Sequence, residues 1–195
     1  MVAAVFVDAE TLPQLLCLGV RDGKRLADST VLRLAEEIRS LCPHDLVQIS
    51  PRRYNELQAE LGNLNRLLAW GHARAIENLL GGVQCSLVVA DQFGDESFLR
   101  SSLMARGKSV RLCQQVHGES DPAVAAASIV ARAAFLQSLE ALSRAAGVPL
   151  PKGATQVLDA ARQVLEKGGE ELLRRVAKVH FRTTRSLRAP GANST

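Results

Sequence analysis

The amino-acid sequence predicts an α/β fold, a mixed sheet flanked by helices. Two observations carry this expectation. Two short apolar runs with β-branched residues, Ala3–Val7 and Ser86–Ala90, end in Asp8 and Asp91, as buried strands do when they leave a sheet. Around them lie longer stretches whose apolar residues recur at helical spacing. Strands interspersed with such helices are the pattern of a sheet covered by helical layers.

The elements follow in order. Ala3–Val7 is a strand, and Leu15–Val20 reads as a second short strand closed by Arg21-Asp22-Gly23. Leu32, Leu34, Ala35 and Ile38 predict a helix from Ser29 to Arg39, with Asp28 or Ser29 as N-cap and Pro43 beyond its end. Leu46–Ile49 is the next strand. Leu64, Leu67, Leu68, Ala75, Ile76 and Leu79 share one side of a long helix over 64–80, closed by Gly81-Gly82 as left-handed caps. Ser86–Ala90 is the clearest core strand, and Ser109–Leu112 another. Pro122 stands at the first position of an alanine-rich helix over 122–146, and a last helix covers 155–178. Residues 1–185 read as one domain, and 186–195, rich in Ser, Ala, Gly and Pro, as a disordered tail.

Composition narrows the function classes. The chain has 195 residues, 47% hydrophobic and 23% charged, enough for one full core. Its net charge of +4 is a mild bias toward a polyanionic partner. Cys17, Cys42, Cys85 and Cys113 stand far apart, without zinc-ligand spacing among Cys and His. They read as buried free thiols of a cytoplasmic protein. With no signal peptide and no uninterrupted apolar run of membrane-spanning length, no membrane partner is expected.

Three sequence blocks are more specific. Residues 53–78 read RYNELQAELGNLNRLLAWGHARAIEN, residues 88–93 read VVADQF, and residues 119–136 read ESDPAVAAASIVARAAFL. Together they resemble the type 2 ribonuclease H family, and within it ribonuclease HIII. The likeness runs from about residue 2 to about residue 185. It implies a ribonuclease H-like sheet and endonucleolytic cutting of the RNA strand of RNA–DNA hybrids by a monomer, with Mg²⁺ or Mn²⁺.

Such chemistry needs clustered carboxylates, because these hard cations take oxygen ligands and a pair of them stabilises the attacking and leaving oxygens. Asp91 ends the core strand, where open α/β sheets place their ligands. On its own it also reads as a turn residue; in the Asp-Gln-Phe context the resemblance makes it a catalytic acid and metal ligand. The family's fourth acid falls on Glu119 or Asp121. Glu119 is the closer match and the expected second metal ligand, while Asp121, next to Pro122, also suits a helix N-cap. Asp95 and Glu96 read as a solvated helix start. Small residues Ala125–Ser128 allow close packing of helix on sheet.

Among basic and polar positions, Arg21–Leu26 resembles a family loop that contacts the substrate backbone, which makes Lys24 and Arg25 substrate-binding candidates. Gly23 stands where the family has Ser, removing one donor to phosphate. Leu150–Ala154 resembles a second such loop, with Lys152 toward the hybrid. Trp70, the only tryptophan, reads as core on its helical spacing. His72 reads either as a support behind the acids or as a substrate contact. Ala177–Phe181 completes the likeness.

The resemblance also marks what this sequence does not contain. The family's catalytic domain opens with Asp-Glu-x-Gly on a first, central strand, and a substrate-binding domain precedes it; residues 2–8 match the second strand. The expectation is therefore a sheet without its central strand, an incomplete acidic set, and open strand edges. About 20–30 further residues, one strand and its turn, are expected to precede Met1 in the reading frame. Three functions stay open: a hybrid-cutting endonuclease, inactive in this form; a catalytically dead hybrid-binding protein or degenerate gene product; and cutting at single ribonucleotides in DNA, against which the Asn-Leu-Asn and Asp-Gln-Phe contexts argue.

Overall fold

A computed structural model describes residues 1–20, 26–153 and 156–187. It divides into two compact units, Met1–Gln48 with Asn63–Phe135, and Ile49–Gly62 with Leu136–Thr195. Among the described residues four strands form two separate two-stranded sheets, both in unit 1.

In unit 1, β1 (Val2–Val5) pairs antiparallel with β2 (His44–Val47), Val2 facing Val47 and Val5 facing His44. Just after β1 the chain turns sharply. The Asp8 carboxylate accepts from the Thr11 backbone N–H (2.9 Å) and hydroxyl (2.8 Å), which holds it below the usual carboxylate range. Helix α1 (Thr11–Cys17) follows, so the strand expected over Leu15–Val20 is not formed. With the first helical turn pinned by Asp8, Leu15 is fully buried while Leu16 is 55% exposed. That is one face of a helix.

Helix α2 (Asp28–Leu41) buries Val31, Leu34, Ala35 and Ile38. Ala27, not Asp28 or Ser29, is its N-cap; Asp28 is the first helical residue and pairs with Arg132 at 3.1 Å. Helix α3 (Pro51–Leu61) belongs to unit 2. Asn63 caps α4 (Leu64–Leu79), its Oδ1 accepting from Asn65 N–H at 2.8 Å. The helix ends on Leu80 in right-handed conformation. Gly81 and Gly82 donate to the Asn78 and Leu79 carbonyls instead of forming the expected left-handed cap. Gly71 of α4 lies where a Cβ would be 3.1 Å from Val2 Cγ2, so its lack of a side chain lets β1 pack closely.

β3 (Leu87–Asp91) runs parallel to β4 (Arg111–Gln115). Between them α5 (Glu96–Ser102) and α6 (Ala105–Lys108) make the crossover, and Ala73, Ile76, Ala90, Leu99 and Leu103 form the core beneath. A single 3₁₀ turn, Gly118–Ser120, leads into α7 (Pro122–Ala146). By length and composition α7 could cross a membrane; here Ala125, Ala126, Ile129, Val130, Ala133 and Ala134 are buried in protein.

Unit 2 holds α3, the end of α7, α8 (Val157–Val176) and α9 (Arg182–Leu187). Helix α3 has a Ser50 cap on Arg53 N–H, Pro51 in its first turn and left-handed Gly62 at its end. Helix α8 breaks its helical geometry at Gly168 and Gly169. Ala146, Val148, Ala160, Ala161, Val164, Leu173 and Val176 make this unit's core.

Candidate active site

Parallel pairing brings the carboxyl ends of β3 and β4 side by side, Asp91 opposite Gln115, and the Gln92 N–H extends the ladder to the Gln115 carbonyl at 3.0 Å. Beyond β4 the chain reverses at His117, whose φ of 58° is left-handed. That reversal lays the 118–120 turn against Asp91: the Gly118 N–H donates to Asp91 Oδ1 at 3.0 Å. A Cβ on Gly118 would fall 2.8 Å from the Asp91 Cα, so only glycine permits this approach without a shift of backbone. Glu119 is thereby the next residue along, partly buried, with its Oε1 3.8 Å from His117 Nδ1. Asp121 accepts from Ala123 N–H (2.9 Å) and Val124 N–H (3.3 Å) and so caps α7.

Asp91 and Asp121 both line a cavity of about 770 Å³ in unit 1. Its walls include every residue from Met1 to Ala9 and from Val83 to Asp91. A cavity over the face of a strand touches alternate residues, because side chains alternate across the sheet. Touching successive residues means that the cavity runs along the strands' edges. Those are the edges of β1 and β3 without a strand partner among the described residues. Residues of α4, among them Leu68, His72 and Ile76, and of α7, among them Ala123, Ala127 and Ser128, also line it. The expected gap in the sheet is a slot bounded by two strand edges and two helices.

His72 stacks on Phe93 at a centroid distance of 5.0 Å. Burial pushes its pKa down to about 4, against the opposing pull of the nearby Asp91 charge; it lines the slot as a neutral ring. The Asn-Leu-Asn motif has a local role that the sequence does not disclose. Asn65 packs against Gly94 in the loop after Asp91, its Nδ2 3.0 Å from where a Gly94 Cβ would be. Gln92 Nε2 closes the same loop on the Gly94 carbonyl at 3.1 Å. Gly118 likewise escapes a reading of the sequence; a glycine directly before a candidate acid is the available signal.

Asp95 caps α5 through Ser97 N–H (2.8 Å) and Glu96 faces Arg100, which fits their reading as a helix start. Trp70 is 39% exposed and so is not the core residue its spacing predicts; small Ala69, Gly71 and Ala73 take the buried positions around it. Lys152 lines a shallow groove in unit 2 with Arg144, Gly147, Val148 and Leu150. Lys24 and Arg25 lie outside the described residues. Among the described residues no three Asp, Glu, His or Cys side chains stand close enough together to hold a metal ion. Asp91, Glu119 and Asp121 are the right donor type for a hard divalent cation, but too few are assembled to enclose one.

Two strand pairs, one antiparallel and one parallel, helices packed on them, and Asp91 at the carboxyl end of a parallel strand fit the ribonuclease H-like fold class. A family model described as Ribonuclease HII matches residues 1–184, and the chain belongs to that family. It is 45% identical over 183 residues to Ribonuclease HIII of Protochlamydia amoebophila (strain UWE25), covering 93% of this chain and 61% of that one. To Ribonuclease HIII of Chlamydia pneumoniae it is 41% identical over 189 residues, covering 93% and 62%. The chain thus spans about three fifths of the length of these curated relatives. Among solved structures it is similar to Bst-RNase HIII in complex with Mn²⁺, with a TM-score of 0.87, 32% identity, and coverage of 95% of this chain and 63% of that one. Aquifex aeolicus RNase H3 gives a TM-score of 0.73 at 28% identity, covering 91% and 64%.

Proposed function

We propose that this chain acts as a monomeric cytoplasmic endonuclease that cuts the RNA strand of RNA–DNA hybrids with Mg²⁺ or Mn²⁺. The observation that carries the reading is the Gly118–Asp91 hydrogen bond, which sets one acid at a strand end and a second, Glu119, on the turn docked against it. The relatives named Ribonuclease HIII support the substrate class, and the Mn²⁺ complex of Bst-RNase HIII supports the metal.

Asp91 and Glu119 would hold the metal. Divalent cations so held supply an activated water and stabilise the leaving oxygen. The protein's own groups do the positioning: the Gly118 N–H orients Asp91, Asp121 fixes the start of α7, and His72, neutral at physiological pH, adds no positive charge to compete with a cation. Cutting is expected to rise when an extended segment carrying carboxylates occupies the slot between β1 and β3 and pairs with both open edges. The absence of a three-ligand group among the described residues favours a second reading for the chain by itself, that of a hybrid-binding protein that does not cut.

The test is fragment release from an end-labelled RNA–DNA hybrid, first in Mg²⁺ and then in Mn²⁺. It uses the 195-residue chain and the same chain fused at its N-terminus to a strand carrying Asp-Glu-x-Gly. The fusion is expected to cut and the chain alone to leave the hybrid intact, with Asp91→Asn silencing the fusion. Cutting that persists in Asp91→Asn would overturn the assignment of Asp91. Robust cutting by the chain alone would overturn the need for a further strand.

A further inference from the structure

The two units differ in charge. Unit 1 carries twelve Lys and Arg against thirteen Asp and Glu, whereas unit 2 carries twelve against seven. From Leu172 onward there are six Lys and Arg and no acid at all.

Among the described residues of unit 2, most cations are already engaged. Arg52 and Arg53 meet Glu56, Arg144 meets Glu140, and Arg162 meets Asp159, while Lys167 donates to the Gly147 carbonyl. Arg174, Arg175 and Lys178 differ. All three are exposed, and none has a carboxylate partner among the described residues. Lys178 instead lies with its Nζ 4.3 Å from the Tyr54 ring centroid. Cations in the last turn of α8 complement the helix dipole, which accounts for Arg174 and Arg175 in part but not for Lys178, beyond the helix end.

Two further features give this corner a built character. Asn55 of α3 donates to the Arg174 and Ala177 carbonyls (3.0 and 2.9 Å) and accepts from Val179 N–H (3.0 Å), so the backbone carrying the three cations is held in one shape. Next to it Phe181 is 47% exposed, its ring 4.0 Å from that of His180. Cations without acidic partners, on a fixed backbone beside an exposed aromatic ring, fit a nucleic-acid strand, with phosphates on the cations and a base or sugar on the ring.

We infer that Arg174, Arg175, Lys178 and Phe181 form a nucleic-acid-binding surface on unit 2. The inference rests on the hybrid-binding reading and adds a second set of binding groups to it. A cation beside a phosphate acts through counterion release, so neutralising one such cation flattens the salt dependence of binding by about one unit. Stacking on an aromatic ring carries no such dependence.

The experiment measures fluorescence anisotropy of a labelled RNA–DNA hybrid across a salt series, with duplex DNA and single-stranded RNA as parallel probes. The variants are Arg174→Glu/Arg175→Glu, Arg174→Gln/Arg175→Gln and Phe181→Ala. Arg144→Glu/Arg162→Glu, an equal charge change at acid-paired positions of the same unit, is the control, and circular dichroism melts verify folding of each. Both arginine pairs are expected to weaken binding about tenfold or more near 0.1 M salt and to flatten the slope by about two units. Phe181→Ala is expected to weaken binding about fivefold with the slope unchanged. If the Arg174/Arg175 variants match the control pair while the parent chain binds hybrid, this surface is wrong and the hybrid reading stands. If the parent binds all three probes alike and the arginine dependence holds, the surface is right and the hybrid-specific reading fails. A parent chain that binds none of the three probes overturns both.

Discussion

The Gly118 N–H donates to Asp91 Oδ1 at 3.0 Å, and a Cβ on Gly118 would lie 2.8 Å from the Asp91 Cα. The bond and the missing side chain are one device, since the turn can reach the carboxylate only where nothing projects from it. Gly118→Val therefore forces backbone apart at the end of β3. A decrease of about 1–3 kcal/mol in stability is expected, the range for overpacking a close approach. Gly153, with nothing within 4 Å of its Cβ position, is the control, and Gly153→Val should stay within about 0.5 kcal/mol of the parent. Equilibrium urea unfolding compares them; equal stability of the two variants would show that the turn yields freely.

His72 gives unit 1 a pH dependence. Its pKa is pushed down to about 4 by burial, from an ordinary value of 6.5. Between those values the unfolded chain binds a proton that the folded one does not, so stability rises with pH. The contribution is complete above about pH 6.5 and is lost as pH falls toward 4, on the order of 3 kcal/mol in all. His72→Gln removes the titration. Its unfolding free energy should change less between pH 7 and pH 5 than that of the parent, measured by urea titration at each pH.

How far the sequence discloses this molecule depends on where each signal resides. The 122–146 helix is legible to its end residues, because Pro122 fixes its start and alanine spacing its length. The gap in the sheet is legible only through the family likeness; periodicity alone does not say which strands neighbour one another. Leu15–Val20 misleads because an apolar run of that length has no decisive period, and the deciding interaction is the Asp8–Thr11 turn just upstream. Helix α3 escapes the apolar pattern although Ser50, Pro51 and Gly62 supply its cap, first-turn proline and left-handed stop. At the candidate site Asp91 is legible from its strand end. Gly118 and Asn65 are not, since their roles are interactions across 27 and 29 positions of sequence that no local pattern encodes.

The two acids ahead of α7 are expected to separate by phenotype. Asp121 caps the helix with Ala123 N–H at 2.9 Å, so Asp121→Ala should cost about 1 kcal/mol of stability, whereas Asp121→Asn, itself a good cap, should cost little. Glu119→Gln should leave stability unchanged and, in the strand-completed fusion, lower hybrid cutting by about a hundredfold or more, as removal of a group stabilising developing charge does. Urea titration and the labelled-hybrid assay read the two effects. A stable Asp121→Asn fusion that loses cutting while Glu119→Gln keeps it would transfer the metal-holding role to Asp121.

Asn55 is expected to be the most sensitive polar residue of unit 2. Its side chain makes three hydrogen bonds to backbone at the end of α8, with the carbonyls of Arg174 and Ala177 and the N–H of Val179. Each carries a net value of about 0.5–1.5 kcal/mol, and truncation leaves main-chain groups without partners. Asn55→Ala should therefore cost about 2–4 kcal/mol. Asn55→Asp should be no better, because it keeps the acceptor for Val179 but turns a carboxylate toward two carbonyl oxygens. Asn55→Gln carries the same amide one methylene too far and should recover little. Urea unfolding of the three variants, followed by hydrogen exchange at Ala177 and Val179, tests this. Protection at those amides unchanged in Asn55→Ala would mean that packing of Leu173 and Val176, rather than the amide clamp, fixes the end of α8.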